Sequence, residues 1–550
     1  MTCRRDLRFP LLACAALLLS AAAAAVPAKD ALGEAAAAIE RGDGIAAEVA
    51  ARRALDEGVP RPEVAALLGE AELLQGELGD ARHWLAAGQF SPLTRERGFH
   101  ALGRLEMAEG DLAAAAEAFD RALAAGPGSA RLWAEIGRLR YRAGQHDLAL
   151  EAAAKAVAID PGEPRALEFQ AQLTRDSRGL VAALPWFERA LEQAPDDLGL
   201  LGEYAATLGE AGRNKDMLRV ARRMVELDPR HPRAYYLQAV LAARAGHDDL
   251  ARRLLARTNG AYDDAPAGQL LAGILELRTG NPALAIDRFD VLTRRQPENP
   301  AAQMLLGRAL LAHGEANEIV ARFGPAANRP GASPYLLALV GRAYEQMDRR
   351  EDAARYLDRA ADGGPGAIGV LPVALDQPGD PQGAGSTVAQ LRQLLAQGRN
   401  GEALALAKQA RERYAGSIDV EILAGDVALL SGDPASALAC YRRAALVRRD
   451  FGLVEKMAVA EQRLGREEEA IALLGDYLAQ NPRSAPASAL LGRIMARRGD
   501  ERRAGLLLAH ARSIDGREAV KPEKGAVALT MARLARAAGG SPSEPALARR

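Results

Sequence analysis

A period of 34 residues governs this chain. Small residues recur at Ala35, Gly69, Gly103, Gly137, Ala171, Ala205, Ala239, Gly273, Gly307 and Gly341, each 34 positions after the last. A second track lies twelve residues further on, with alanine at 47, 81, 115, 149, 183, 251, 285 and 353 and Met217 and Ile319 between them. Proline at 127, 161, 195, 229, 297 and 365 marks where units stop. Ten repeats therefore run from 28 to 367 without a gap. A fixed period of this length is the signature of a repeat array, in which each unit packs only on its neighbours. The 550 residues then need not divide into separate globular domains.

The spacing has a physical cause. Each repeat holds two helical stretches joined near Gly110, Gly144, Gly212, Gly246, Gly280 or Gly314, where a helix can end in a left-handed residue. The small residue of the first helix and the alanine of the second lie where the pair crosses, and only short side chains let the backbones approach. Phe99, Trp133, Leu167 and Tyr235 on first helices, with Phe119, Phe187, Phe289 and Phe323 on second ones, fill the space between pairs. Proline ends one pair and starts the next, since it breaks a helix interior but suits a first turn. Composition agrees: 49% of residues are apolar, 26% charged and only 4% aromatic, and alanine costs least in a helix.

This pattern resembles the tetratricopeptide repeat family. From Phe99 to Pro127, the residues Leu102-Gly103, Gly110-Asp111, Ala115, Phe119, Ala122 and Pro127 all fall at that family's positions. One departure is regular: the aromatic expected three residues after the first glycine is Glu106, Arg140, Thr174 or Glu276, and only Tyr344 matches. The resemblance implies an all-α fold, a right-handed α-solenoid of about fourteen helix pairs.

The register breaks once. Glycine and proline crowd the stretch from Gly363 to Gly385, so 368–383 is expected to be a linker between arrays. Four further repeats cover 384–518, carried by Gly398 and Ala403, Gly425 and Ala437, Gly465 and Ala470, and Gly492 and Ala504. In 519–550, residues 525–538 suit a capping helix and the remainder a disordered tail. At the other end, Arg4, Arg5 and Arg8 precede an apolar run from Phe9 to Ala25, and small residues flank a cut near Ala25 or Ala28. Residues 1–27 thus read as an export signal, which places the mature chain in the periplasm. The alternatives are an anchor retained through 9–27 or a lipid on Cys14, the only routes to a membrane here. Without the signal one cysteine remains, Cys440, in an apolar helical stretch that suits a small buried side chain.

No catalytic motif accompanies the repeats: there is no phosphate-binding loop, no His-Glu-x-x-His, no paired Cys-x-x-Cys and no nucleophile elbow. The seven histidines are scattered, with no two at metal-ligand spacing on one helix face. We therefore expect no enzyme, no cofactor and no metal. Charges nearly cancel, 71 basic against 72 acidic, which with an export signal argues against nucleic acid. Seven of the basic residues are lysine and the rest arginine, so a lone arginine says little.

What remains is the face formed by first helices, which the family resemblance makes concave. Its positions carry Arg97, His100 and Arg104, then Arg131, Arg138, Tyr141 and Arg142, then Arg165 and Arg175. Acidic residues are few there, mainly Glu168 and Asp176, and the first, second, sixth and eighth repeats put mostly apolar or small residues at these places. Arginine favours carboxylates and phosphates through its planar fork. The expected work is a non-catalytic protein-interaction scaffold of the cell envelope, serving polysaccharide export or pilus assembly. Its partners would be other proteins, with an acidic peptide segment or acidic polysaccharide in the groove. Alternatives are direct carbohydrate binding, with Tyr141, Tyr236 and Tyr335 as stacking platforms, and a regulatory subunit of an enzyme complex.

Overall fold

The computed structural model describes residues 30–297, 299–328, 332–361 and 384–514. The expected signal, linker, capping helix and tail lie outside the described residues. Within them the regular structure is entirely helical, and it falls into two compact units, Met1–Gln170 and Ala171–Arg550.

The 34-residue period is a period of helix starts. First helices open at Ala130, Pro164, Leu198, Pro232, Pro266, Pro300 and Pro334, and second helices at Leu78, Leu112, His146, Leu180, Asn214, Asp248, Pro282, Ala316 and Arg350. Beyond residue 383 they open at Ala384, Ile418, Phe451 and Ala485, and at Asn400, Pro434, Glu467 and Glu501. The turns work as the glycines suggest. Gly110 closes the helix Arg95–Glu109 with φ 90°, and the next residue, Asp111, accepts the backbone N–H groups of Ala113 and Ala114 to start the second helix.

Crossings explain the small residues. A Cβ on Gly103 would lie within 3 Å of the Phe119 ring, and Gly273 and Gly425 meet Phe289 and Tyr441 in the same way. All three rings are essentially fully buried. Each occupies the same place in its second helix, so glycine and ring form one interlocked element repeated along the chain. Cys440, beside Tyr441, is buried as well.

Two repeats depart from the pattern that the period predicts. The second helices Leu78–Leu85 and Asp248–Ala256 stop early, and the chain returns through a loop that places an aromatic ring against a first helix, the following one for Phe90 and the preceding one for Tyr262. Phe90 packs edge-on to Phe99 at 5.2 Å. Tyr262 stacks on Tyr236 at 4.2 Å, tilted by 3°. Room for each loop comes from a glycine near the start of the following first helix: a Cβ on Gly98 would strike the Phe90 ring, and one on Gly268 the Tyr262 backbone.

Repeats are also joined by a recurring hydrogen bond. The residue at the end of one first helix donates to a carbonyl near the end of the previous one. Arg142 reaches Met107 O at 3.1 Å, Arg244 reaches Gly209 O at 2.9 Å and Arg278 reaches Ala243 O at 2.7 Å. Gln346 reaches Leu311 O at 3.0 Å and Arg463 reaches Leu429 O at 2.7 Å. The carbonyls of Gly209, Ala243, Leu311 and Leu429 already accept the N–H of the turn glycine three residues on, so the side chain adds a second donor to a helix end that lacks its i+4 partner.

Candidate functional site

In the first unit, helices of five successive repeats place charged side chains on one face. Arg97 Nε donates to Glu70, a carboxylate only 3% exposed. Arg104 lies 3.7 Å from the same carboxylate, and among the described residues it makes no hydrogen bond. Arg131 is 2.9 Å from Glu40 and 3.4 Å from Glu163. Arg138 and Arg165 share Glu168 at 3.3 and 3.1 Å, and Arg138 also lies over the Phe169 ring at 5.3 Å.

The pair between Arg131 and Glu40 fixes the curvature. It joins the fourth repeat to the first, 91 residues apart. Packed helices sit roughly 8–10 Å apart, so four flat-stacked helix pairs would hold these side chains far beyond contact. The first-helix face of this unit is therefore concave, as the resemblance implies.

His100 lies beneath these arginines. It is 7% exposed, and its Nε2 has no hydrogen-bond partner. Burial, then the charges of Arg104, Arg131 and Arg97, lower its pKa from 6.5 to about 3. Arg131 behaves oppositely: burial works against its charge, but Glu163 and Glu40 outweigh that and raise its pKa. A titration test follows. Below pH 6.5 the unfolded chain takes up a proton that the native imidazole refuses until about pH 3. The stability from neutral His100 is thus whole above pH 6.5 and is lost as pH falls through that window. From pH 7.5 to 5 the native protein should lose about 2 kcal/mol more than a His100→Gln variant, read by urea titration. Equal losses would show that His100 takes up its proton in the fold as readily as in the unfolded chain.

The expected site residues thus sort into groups. Arg97, His100, Arg104 and Arg131 come together, and Arg138 and Arg165 meet at Glu168. Arg142 is spent as an inter-repeat cap on Met107. Tyr141 packs edge-on to His146 at 5.1 Å. Arg175 belongs to the second unit, where it is 3.2 Å from Glu203. The expectation of few acids is corrected: Glu40, Glu70 and Glu163 join Glu168 among the arginines. Glu40 and Glu70 occupy groove positions of the first two repeats, so their numbering carried the signal.

Residues 100–164 and 270–318 match the family model described as tetratricopeptide repeat. No curated protein matches the chain. Among solved structures, the APC/C hetero-tetramer Cut9–Hcn1 is 14% identical, with 93% of this chain and 96% of that chain covered and a TM-score of 0.32. The human IFIT1 dimer with PPP-AAAA is 16% identical, with 74% and 94% covered and a TM-score of 0.38. A tetratricopeptide repeat protein from Parabacteroides merdae is also 16% identical, with 49% and 93% covered and a TM-score of 0.24. The described residues form an all-α array of helix pairs, and the two matched stretches resemble tetratricopeptide repeats.

Proposed function

We propose that this chain is an exported, non-catalytic scaffold of the cell envelope that holds acidic partners on the concave face of its first unit, in polysaccharide export or pilus assembly. The envelope assignment rests on the basic start and apolar run of residues 4–25. One observation carries the choice of partner. Arg104 is 29% exposed, and the one carboxylate paired with it among the described residues, Glu70, is already bonded to Arg97. Its guanidinium therefore presents donors that no acceptor among the described residues fills, and a carboxylate suits that fork. The stacking-platform alternative loses support because Tyr236 already lies against Tyr262 and Tyr141 against His146.

The test uses the purified mature protein, whose N-terminal sequence should begin near Val26 or Lys29. Poly-L-glutamate and a polyuronate serve as peptide and polysaccharide probes at low salt. Arg104→Gln should weaken binding by up to about fivefold, the scale of one exposed ion pair, and Glu70→Gln should strengthen it by a similar factor by releasing Arg97. A purely structural role for these residues would move both variants the same way. That outcome, or no binding of either probe, overturns the groove reading. An intact Met1 on a cytoplasmic protein overturns the export reading.

A further inference from the structure

The second unit contains a junction that the repeat pattern does not require. Its later repeats pack back on its earliest ones. Arg449 N donates to Asp176 O at 2.7 Å, and Leu180 N donates to Asn481 Oδ1 at 3.5 Å. A Cβ on Gly179 would lie 2.7 Å from Gln480 Cβ, so these backbones approach as closely as a glycine permits. The segment Asn481–Ser484 is thereby carried onto the turn after the helix Leu198–Glu210.

Two arginine side chains reach that turn. The stem of Arg483 packs on Gly212, whose Cβ position lies 3.4 Å from Arg483 Cδ. Arg244 reaches the same turn from its own repeat and spends Nη1 on Gly209 O at 2.9 Å. Among the described residues no carboxylate pairs with either arginine. Asp216, just beyond the turn, is held by Arg213 at 2.8 Å and by Arg219, and Glu210 is exposed to solvent. Arg483 makes no hydrogen bond of its own there, and burial followed by the charge of Arg244 lowers its pKa.

We infer that Arg244 and Arg483 form a binding site for a small oxyanion, of the phosphate or sulfate class, at the junction of the two arrays. A half-buried cation beside a like charge is costly unless paired. Two guanidinium forks can share one tetrahedral anion through paired N–H donors. The anion would bridge the turn at Gly209–Gly212 to the segment at Arg483, and so bind most strongly when the junction is closed.

The experiment measures thermal unfolding of the full chain in chloride, inorganic phosphate, sulfate or glycerol 3-phosphate at equal ionic strength. Phosphate or sulfate should raise the Tm by at least about 3 °C over chloride, through preferential binding to the native state. An equal rise with glycerol 3-phosphate would identify an esterified phosphate as a ligand, and its absence would identify the free anion. Arg483→Gln should abolish the anion-dependent rise while leaving the Tm in chloride unchanged or higher, because it removes an unpaired charge. Circular dichroism verifies its helicity, and isothermal titration of phosphate into both proteins reads binding directly. Equal Tm values in chloride and phosphate, or a rise that survives in Arg483→Gln, would overturn the site.

Discussion

Gly103→Ala should destabilise the first unit by about 3 kcal/mol, at the upper end of overpacking costs, and lower its melting temperature by on the order of 6–12 °C. The added Cβ would sit within 3 Å of Phe119. That ring cannot retreat, because it is 1% exposed and lies against His100 at 6.1 Å. Phe119→Leu on its own opens space and also costs stability. The double variant should recover part of the loss, since residues in direct contact couple. If the single variant melts like the native protein, the crossing is looser than the geometry shows. Substitution of Gly76, where a Cβ would meet nothing within 4 Å, probes backbone conformation alone and makes a fair control.

Asp426→Ala should damage the second unit by a comparable amount, about 3 kcal/mol, through charge and not volume. Asp426 is 1% exposed, accepts the Tyr441 hydroxyl at 2.8 Å and lies 2.6 Å from Lys456 Nζ. Burial raises its pKa while Lys456 and then Tyr441 pull it back down. Removing the carboxylate leaves a largely buried ammonium without its counter-charge. The sharper comparison is Asp426→Asn with Lys456→Met, which removes both charges and keeps an acceptor for Tyr441. That pair should be nearly as stable as the native protein. Denaturant titration of the three proteins decides, and a double variant as unstable as Asp426→Ala would make Asp426 a packing residue.

The fold was legible because its crossings are written in side-chain size. Gly103 and Phe119 sit sixteen residues apart for a steric reason, and that reason repeats wherever the chain stacks another pair. The shortened helices at 78–85 and 248–256 escaped the period because their small-residue tracks continue unbroken through Ala81 and Ala251. Their marks were Gly98 and Gly268, glycines in first turns where the repeat needs none. The site was less legible, since a residue's position gives its face but not its partner. Arg142 carries the same fork as Arg104, yet a neighbouring carbonyl claims it. Glu40 lies a full 91 residues from Arg131, and only the curvature of the stack brings them together.

The bonds from the end of one first helix to the end of the last all run in one direction. Arg142, Arg244, Arg278, Gln346 and Arg463 each donate a hydrogen bond backward along the chain, to a repeat already made. A ribosome therefore releases each first helix unfinished, and its closing contact arrives only with the next 34 residues. The array has a grain, like timber. Sever it on the C-terminal side of a repeat and a fixed carbonyl loses its side-chain donor; sever it on the N-terminal side and a flexible side chain loses its acceptor.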